Sequence, residues 1–146
     1  MDMNTRPPLP ADLGEGSPVL LFRSSHGRGA RPEPVPATVV KAARVWLTVR
    51  DDAAPANAAG NSFYELRMRR DTQRTDNGTN YNDWFVTREQ YEYDERMRAV
   101  DAVISDAKVA LQNGYRGPGL VWTPERRIAL ADLIVSLGIL DAEVDA

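Results

Sequence analysis

Pro36-Ala-Thr-Val-Val-Lys-Ala-Ala-Arg-Val-Trp-Leu-Thr-Val-Arg50 sets two β-branched runs on either side of Ala42-Ala43. A parallel connection needs about a dozen residues or more, so these runs can only form an antiparallel hairpin. In the second run Val45, Leu47 and Val49 alternate with Arg44, Trp46, Thr48 and Arg50, the period of a half-buried strand. The odd-numbered aliphatics are expected to face a core, turning Trp46 and its cationic neighbours outward. The tightest hairpin turns place Gly, Asn or Asp where φ is positive. Alanine resists that conformation, so a longer loop or a bulge is expected around Ala42-Ala43.

Upstream, Val19–Arg23 suits a short buried strand, and Pro32, Pro34 and Pro36 hold the chain extended until a strand begins over Thr38–Lys41. Residues 1–17 lack periodicity and are rich in Pro, Gly, Asp and Glu, which predicts a disordered tail. Downstream, alternation resumes over Ser62–Arg70, with Tyr64, Leu66 and Met68 on one face and Phe63, Glu65, Arg67 and Arg69 on the other. Asp76-Asn77-Gly78 marks a turn, and Tyr81–Val86 reads as a last strand. Short antiparallel strands with turn chemistry between them favour a small, partly open barrel over a flat sheet, because curling removes exposed edges.

The period changes to helical after residue 87. Thr87-Arg-Glu-Gln90 has the form of a capping box. Behind it Tyr93, Met97, Val100, Ile104, Ala107 and Leu111 form one apolar stripe, closed by Asn113-Gly114. A second helix starts at Thr123-Pro124-Glu125, takes Ile128, Ala131, Leu133, Ile134 and Leu137 as its apolar face, and stops at Gly138. The predicted organisation is a tail over 1–17, a β-barrel over 18–86, a two-helix region over 87–138 and an acidic tail over 139–146.

A chain of 146 residues can bury a core without disulfides, and the absence of cysteine excludes thiolate metal sites and cysteine nucleophiles. The start has no apolar signal segment and no stretch approaches a membrane span, so a cytoplasmic protein with no membrane association is expected. Charge is uneven. Residues 1–75 hold 11 basic and 8 acidic side chains, and residues 76–146 hold 7 and 13, so an anionic partner would prefer the β half.

Catalytic chemistry is sparse. His26, the one histidine, follows Ser24-Ser25 in a Gly-rich loop, and a Ser-His pair adjacent in sequence has no defined geometry for nucleophile and base. Metal binding would need an all-oxygen site, and no Asp-rich loop has calcium-binding spacing. Gly27-Arg28-Gly29 lacks the helix and further residues of a phosphate loop. Arg126 and Arg127 open the second helix as a recognition helix would, but the connection before them is far longer than the turn of a helix–turn–helix. No catalytic residue, cofactor or metal ligand is assigned, and a non-enzymatic protein is expected. One surface stands out. Arg44, Trp46 and Arg50 on one strand, with Arg67 and Arg69 on its neighbour, form a candidate partner-binding face. An indole among guanidinium groups can stack a base while the charges meet phosphates. Burial of Trp46 beneath a C-terminal helix, with the arginines only solubilising the strand, is the favoured placement, because large aromatics are more often buried than displayed.

The order Val-Val-Lys-Ala-Ala-Arg-Val-Trp-Leu-Thr-Val, a Phe-Tyr-Glu-Leu strand, Asp-Trp-Phe-Val-Thr-Arg-Glu-Gln, a charged helix and Thr-Pro-Glu-Arg-Arg-Ile-Ala-Leu-Ala-Asp-Leu-Ile resembles small uncharacterised proteins of actinobacterial phages. Those combine an SH3-like barrel with C-terminal helices, and the resemblance spans about residues 18–138. The hairpin is also similar to KOW and Tudor-type barrels, which bind nucleic acid or protein segments. Ala42-Ala43 departs from the glycine associated with that turn. The resemblance implies an α+β fold, a small five-stranded antiparallel SH3-like barrel followed by two α-helices. A phage accessory role in the host cytoplasm is expected with it. The acidic helical half beside a mildly basic barrel gives the dipolar surface that orients protein partners, so a module binding a host or phage protein is expected, with nucleic-acid binding through Arg44, Trp46, Arg50, Arg67 and Arg69 the alternative.

Overall fold

The computed structural model describes residues 5–24, 32–75, 82–106 and 122–138. His26, the Asp76-Asn77-Gly78 turn, the predicted end of the first helix at Asn113-Gly114 and the acidic 139–146 segment lie outside them. The elements are β1 (Pro18–Phe22), β2 (Val35–Ala42), β3 (Trp46–Asp51), β4 (Glu65–Arg69), β5 (Trp84–Val86), α1 (Arg88–Asp106) and α2 (Pro124–Ser136). The architecture is α+β, and the chain divides into two compact units. One comprises residues 8–91, the other residues 92–146 with 1–7.

In the first unit the strands form one antiparallel sheet of order β4-β3-β2-β1-β5. The edge strands do not stay open. Met68 of β4 bridges Thr75, and Arg74 bridges Trp84 of β5, so residues 74–75 link the two edges and the sheet is curled. Its core joins Val19 and Leu21, Ala37 and Val39, Leu47 and Val49, Leu66 and Met68, and Phe85. These are the alternate positions of five strands and fill one face of the sheet; at β1 and β5 the other face is covered as well, with Phe22 and Val86 buried.

The β2–β3 hairpin solves the turn without a positive φ. The longer loop expected around Ala42-Ala43 is present as Ala43–Val45, while the register shift lies earlier, between Val39 and Lys41, with Ala42 still paired to Leu47. The one described non-glycine residue with positive φ is Gln73, at 56°. Arg70 holds the loop from outside. Its N–H donates to Val45 O (2.9 Å), its Nε to Ala43 O (2.8 Å) and its Nη2 to Leu13 O (2.7 Å). We expect Arg70→Ala to cost about 1–3 kcal/mol in urea unfolding, since charge-assisted bonds to carbonyls are lost. Arg70→Lys should recover less than half, because an ammonium cannot span both carbonyls as the guanidinium fork does.

Several boundaries differ from those predicted. Val45 does not face the core; it is 45% exposed, because β3 begins at Trp46 and Val45 belongs to the loop. Arg44 lies in the same loop. β4 starts at Glu65, with Ser62–Tyr64 forming a turn, and β2 already includes Pro36, near its start where a missing donor is tolerated. Within the predicted disordered tail, Leu13 is buried in the core with Leu9 packed against it, and Gly16 N–H donates to Val39 O (2.8 Å). Two leucines, the backbone bonds of Gly16 and Ser17 with Val39, and Arg70 on Leu13 O tie this proline-rich segment to the sheet.

The first unit ends in a buried polar node. Thr87 Oγ1 accepts from Gln90 N–H and Gln90 Oε1 accepts from Thr87 N–H, both at 3.2 Å, completing the predicted capping box. Gln90 is 1% exposed, and its amide also pairs with that of Gln73. Asp83, likewise buried, accepts from the Ser24 N–H (2.7 Å) and hydroxyl (3.2 Å).

In the second unit α1 presents Tyr93, Met97 and Ile104 as a buried stripe. Ile104 packs with Ala131 and Ile134 of α2, and Arg127 of α2 pairs with Asp101. Thr123 caps α2, its hydroxyl accepting from Arg126 N–H (3.4 Å), and Gly138 ends it at φ 64°. Leu133 and Leu137, expected on the buried face, are 53% and 64% exposed. The stripe buried against α1 runs through Ala131 and Ile134 with Leu130 at its margin; Leu133 sits beyond it on the helix circumference, and Leu137 is the C-cap, past the last helical residue Ser136. No described helix is long and apolar enough to cross a membrane.

Candidate partner-binding face

β3 and β4 bring the proposed residues together through their register. Trp46 lies opposite Arg69, Thr48 opposite Arg67 and Arg50 opposite Glu65. Directly opposite partners project to the same side of a sheet. Leu47, Val49 and Met68 are fully buried and Leu66 nearly so, which sends Trp46, Arg50, Arg67 and Arg69 to the outer side.

Trp46 is partly buried, and what covers it is guanidinium. Arg67 sits 4.2 Å from the ring centroid and Arg69 5.7 Å, distances at which cation–π attraction is appreciable. Arg69 is fixed by a bidentate pair with Asp71, Nε to Oδ1 at 2.8 Å and Nη2 to Oδ2 at 2.7 Å. Chiefly through that hydrogen bond, the Asp71 carboxyl is lowered from its ordinary value to about 2. Arg50 sits further along, its Nη1 3.5 Å from Glu65 Oε1 and its Nη2 donating to Pro55 O at 3.2 Å. Among the described residues no carboxylate pairs with Arg67 or Arg44. The five predicted residues therefore divide. Trp46, Arg67 and Arg69 form a stacked cluster, Arg50 belongs to a separate ion pair, and exposed Arg44 stands off in the hairpin loop.

Sequence reading missed the two carboxylates. Glu65 lies on the face its alternation predicts, but its pairing with Arg50 depends on cross-strand register. Asp71 lies two residues beyond Arg69, a spacing that could have suggested the pair. The outer face continues past Glu65 to Phe63, which is 63% exposed, with the Arg23 guanidinium 4.4 Å from its ring. Among the described residues no group of three or more acidic or histidine side chains is placed to hold a metal ion.

A family model described as the phage ProQ C-terminal-like domain matches residues 1–140 of the chain. No curated protein and no solved structure matches it significantly.

Proposed function

The chain belongs to the phage ProQ C-terminal-like family, and from that premise we propose that it is a non-enzymatic phage accessory protein, acting in the host cytoplasm by binding a host or phage protein through the outer face of β3 and β4. In this reading the curled sheet is an SH3-like barrel used as a scaffold for that face. The observation that carries it is the mosaic around Trp46: an indole under the Arg67 guanidinium, beside an Arg69 already held by Asp71. Tryptophan and arginine are the side chains most enriched at the energetic centres of protein interfaces. A guanidinium stacked on a ring keeps its N–H edge available for a carboxylate or carbonyl. Interspersed carboxylates fix the register of a protein partner, whereas they reduce the charge a phosphate backbone would meet.

A second reading is nucleic-acid binding, favoured by the same 4.2 Å stack, since a base could replace the guanidinium over the indole. The two separate in one experiment. Tagged chain is incubated with lysate of infected cells, with and without nuclease treatment, beside the Arg67→Glu and Trp46→Ala variants. A specific protein retained by wild type, and reduced about tenfold or more by Arg67→Glu, is the expected result. Retention that disappears with nuclease, together with salt-dependent retention on DNA or RNA, would favour the second reading. Retention unchanged in both variants would remove this face from either.

A further inference from the structure

We infer that the binding surface continues from β4 across the bridging segment to β5 as a belt, and that this belt takes an extended acidic segment of a protein partner. The inference rests on the protein-binding reading above and deepens it. The belt follows from hydrogen bonding. Trp46 lies opposite Arg69, and the Arg69 N–H donates to Arg74 O at 2.9 Å. Arg74 bridges Trp84, and Trp84 lies opposite Phe22. Each step joins positions projecting to the same side of the curled sheet. The rings and charges agree. The Arg74 guanidinium lies 5.9 Å from the Trp84 centroid, and Trp84 stacks on Phe22 at 4.9 Å with 4° between the planes.

The outcome is a row of alternating character: one indole with two guanidinium groups, then a second indole with a third. Three strand spacings of about 4.8 Å separate the backbone positions of the two indoles by about 14 Å along the curled sheet, a path that about four residues of extended chain would cover. Phe22 is buried and stacks on Trp84, and the Arg67 guanidinium stacks on Trp46, so each ring has a packed partner on the sheet. Rigid aromatic anchors lose little entropy on binding.

The charge identifies the occupant. Arg67 and Arg74 have no described carboxylate partner, while Arg69 binds Asp71 through both oxygens. Asp71 thus shows on this surface the contact that an incoming Asp or Glu would make at the other two. Two acidic side chains about four residues apart, with the chain between them lying over the indoles, satisfy both guanidinium groups.

The test uses a fluorescein-labelled oligoglutamate of about ten residues, with an oligothymidylate of similar charge, followed by anisotropy at low salt. Wild type should bind the oligoglutamate more tightly. Arg74→Glu and Arg67→Glu should each weaken binding about tenfold, and Asp71→Asn, which releases Arg69, should tighten it a few-fold. Trp84→Ala should also weaken binding, and because that ring braces Phe22 its folding is checked by circular dichroism. Arg74→Glu alters only an exposed side chain and carries the test independently. If Arg67→Glu weakens binding and Arg74→Glu does not, the belt is refuted while the β3–β4 face stands. Tighter binding of oligothymidylate, or no binding of oligoglutamate by wild type, overturns the acidic segment as occupant; the lysate experiment judges the protein-binding reading separately.

Discussion

Gln90→Leu should lower the unfolding free energy by about 2–4 kcal/mol, seen as a reduced urea midpoint at unchanged m. The side chain is 1% exposed and serves two structures at once. Its Oε1 accepts from Thr87 N–H (3.2 Å), closing the first turn of α1, and from Gln73 Nε2 (2.8 Å); its Nε2 donates to Gln73 Oε1 (3.2 Å). Leucine fills similar volume but leaves a buried amide N–H and the Gln73 amide without these partners. Gln73 cannot simply turn away, since its Nε2 also donates to Phe85 O and its own carbonyl accepts from Phe85 N–H. It holds a φ of 56°, a backbone conformation glutamine rarely adopts without such support. A Gln73→Ala, Gln90→Ala double-mutant cycle should show coupling of about 0.5–3 kcal/mol, because either single change already strands the other amide. Additivity would mean the two amides are independent. The introduced carboxyl of Gln90→Glu gives a sign test. It keeps the acceptor but is charged and buried, so its folded pKa should rise above the unfolded value near 4.3. That variant should therefore gain stability relative to wild type as pH falls through the raised value, and lose it as pH rises.

What the sequence made legible depended on whether the signal was local. The alternation of Leu47 and Val49, the Thr87–Gln90 box and the Thr123-Pro124 start are each contained within a few residues, and each took the predicted form. Placement of Arg67 and Arg69 beside Trp46 needed one further step, strand adjacency, which hairpin logic supplied. The belt needed more. Arg74 reaches Trp84 only because residues 74–75 bridge β4 to β5, and two isolated bridges leave no periodic trace in sequence. Leu13 was missed for a related reason: one leucine among turn-forming residues has no period, and its burial is decided by the sheet it meets. On α2 the sequence offered more apolar positions than α1 covers, so periodicity overestimated the buried stripe: Leu133 lies off it, and Leu137 falls past the helix end as its C-cap.

The hairpin supplies the other large effect, and it tests the premise of every functional statement made above. Leu47→Ala should destabilise the β unit by about 2–5 kcal/mol, whereas Val45→Ala should change stability by no more than about 0.5 kcal/mol. Both are aliphatic, two residues apart, and of like parity, so sequence alternation alone assigns them the same fate. The fold separates them, because Leu47 is fully buried opposite Met68 while Val45 lies in a loop whose backbone, not side chain, is held by Arg70. Truncating Leu47 removes transfer free energy and leaves a cavity among Val49, Met68 and their neighbours; truncating Val45 leaves its carbonyl bond to Arg70 N–H in place. Chemical denaturation of the two variants measures the difference directly. A large loss at Val45 with tolerance at Leu47 would mean the strand is rotated. A side-chain period of two then turns Trp46 inward along with Arg50, and no outward indole is left for Arg67 to cover or a partner to meet.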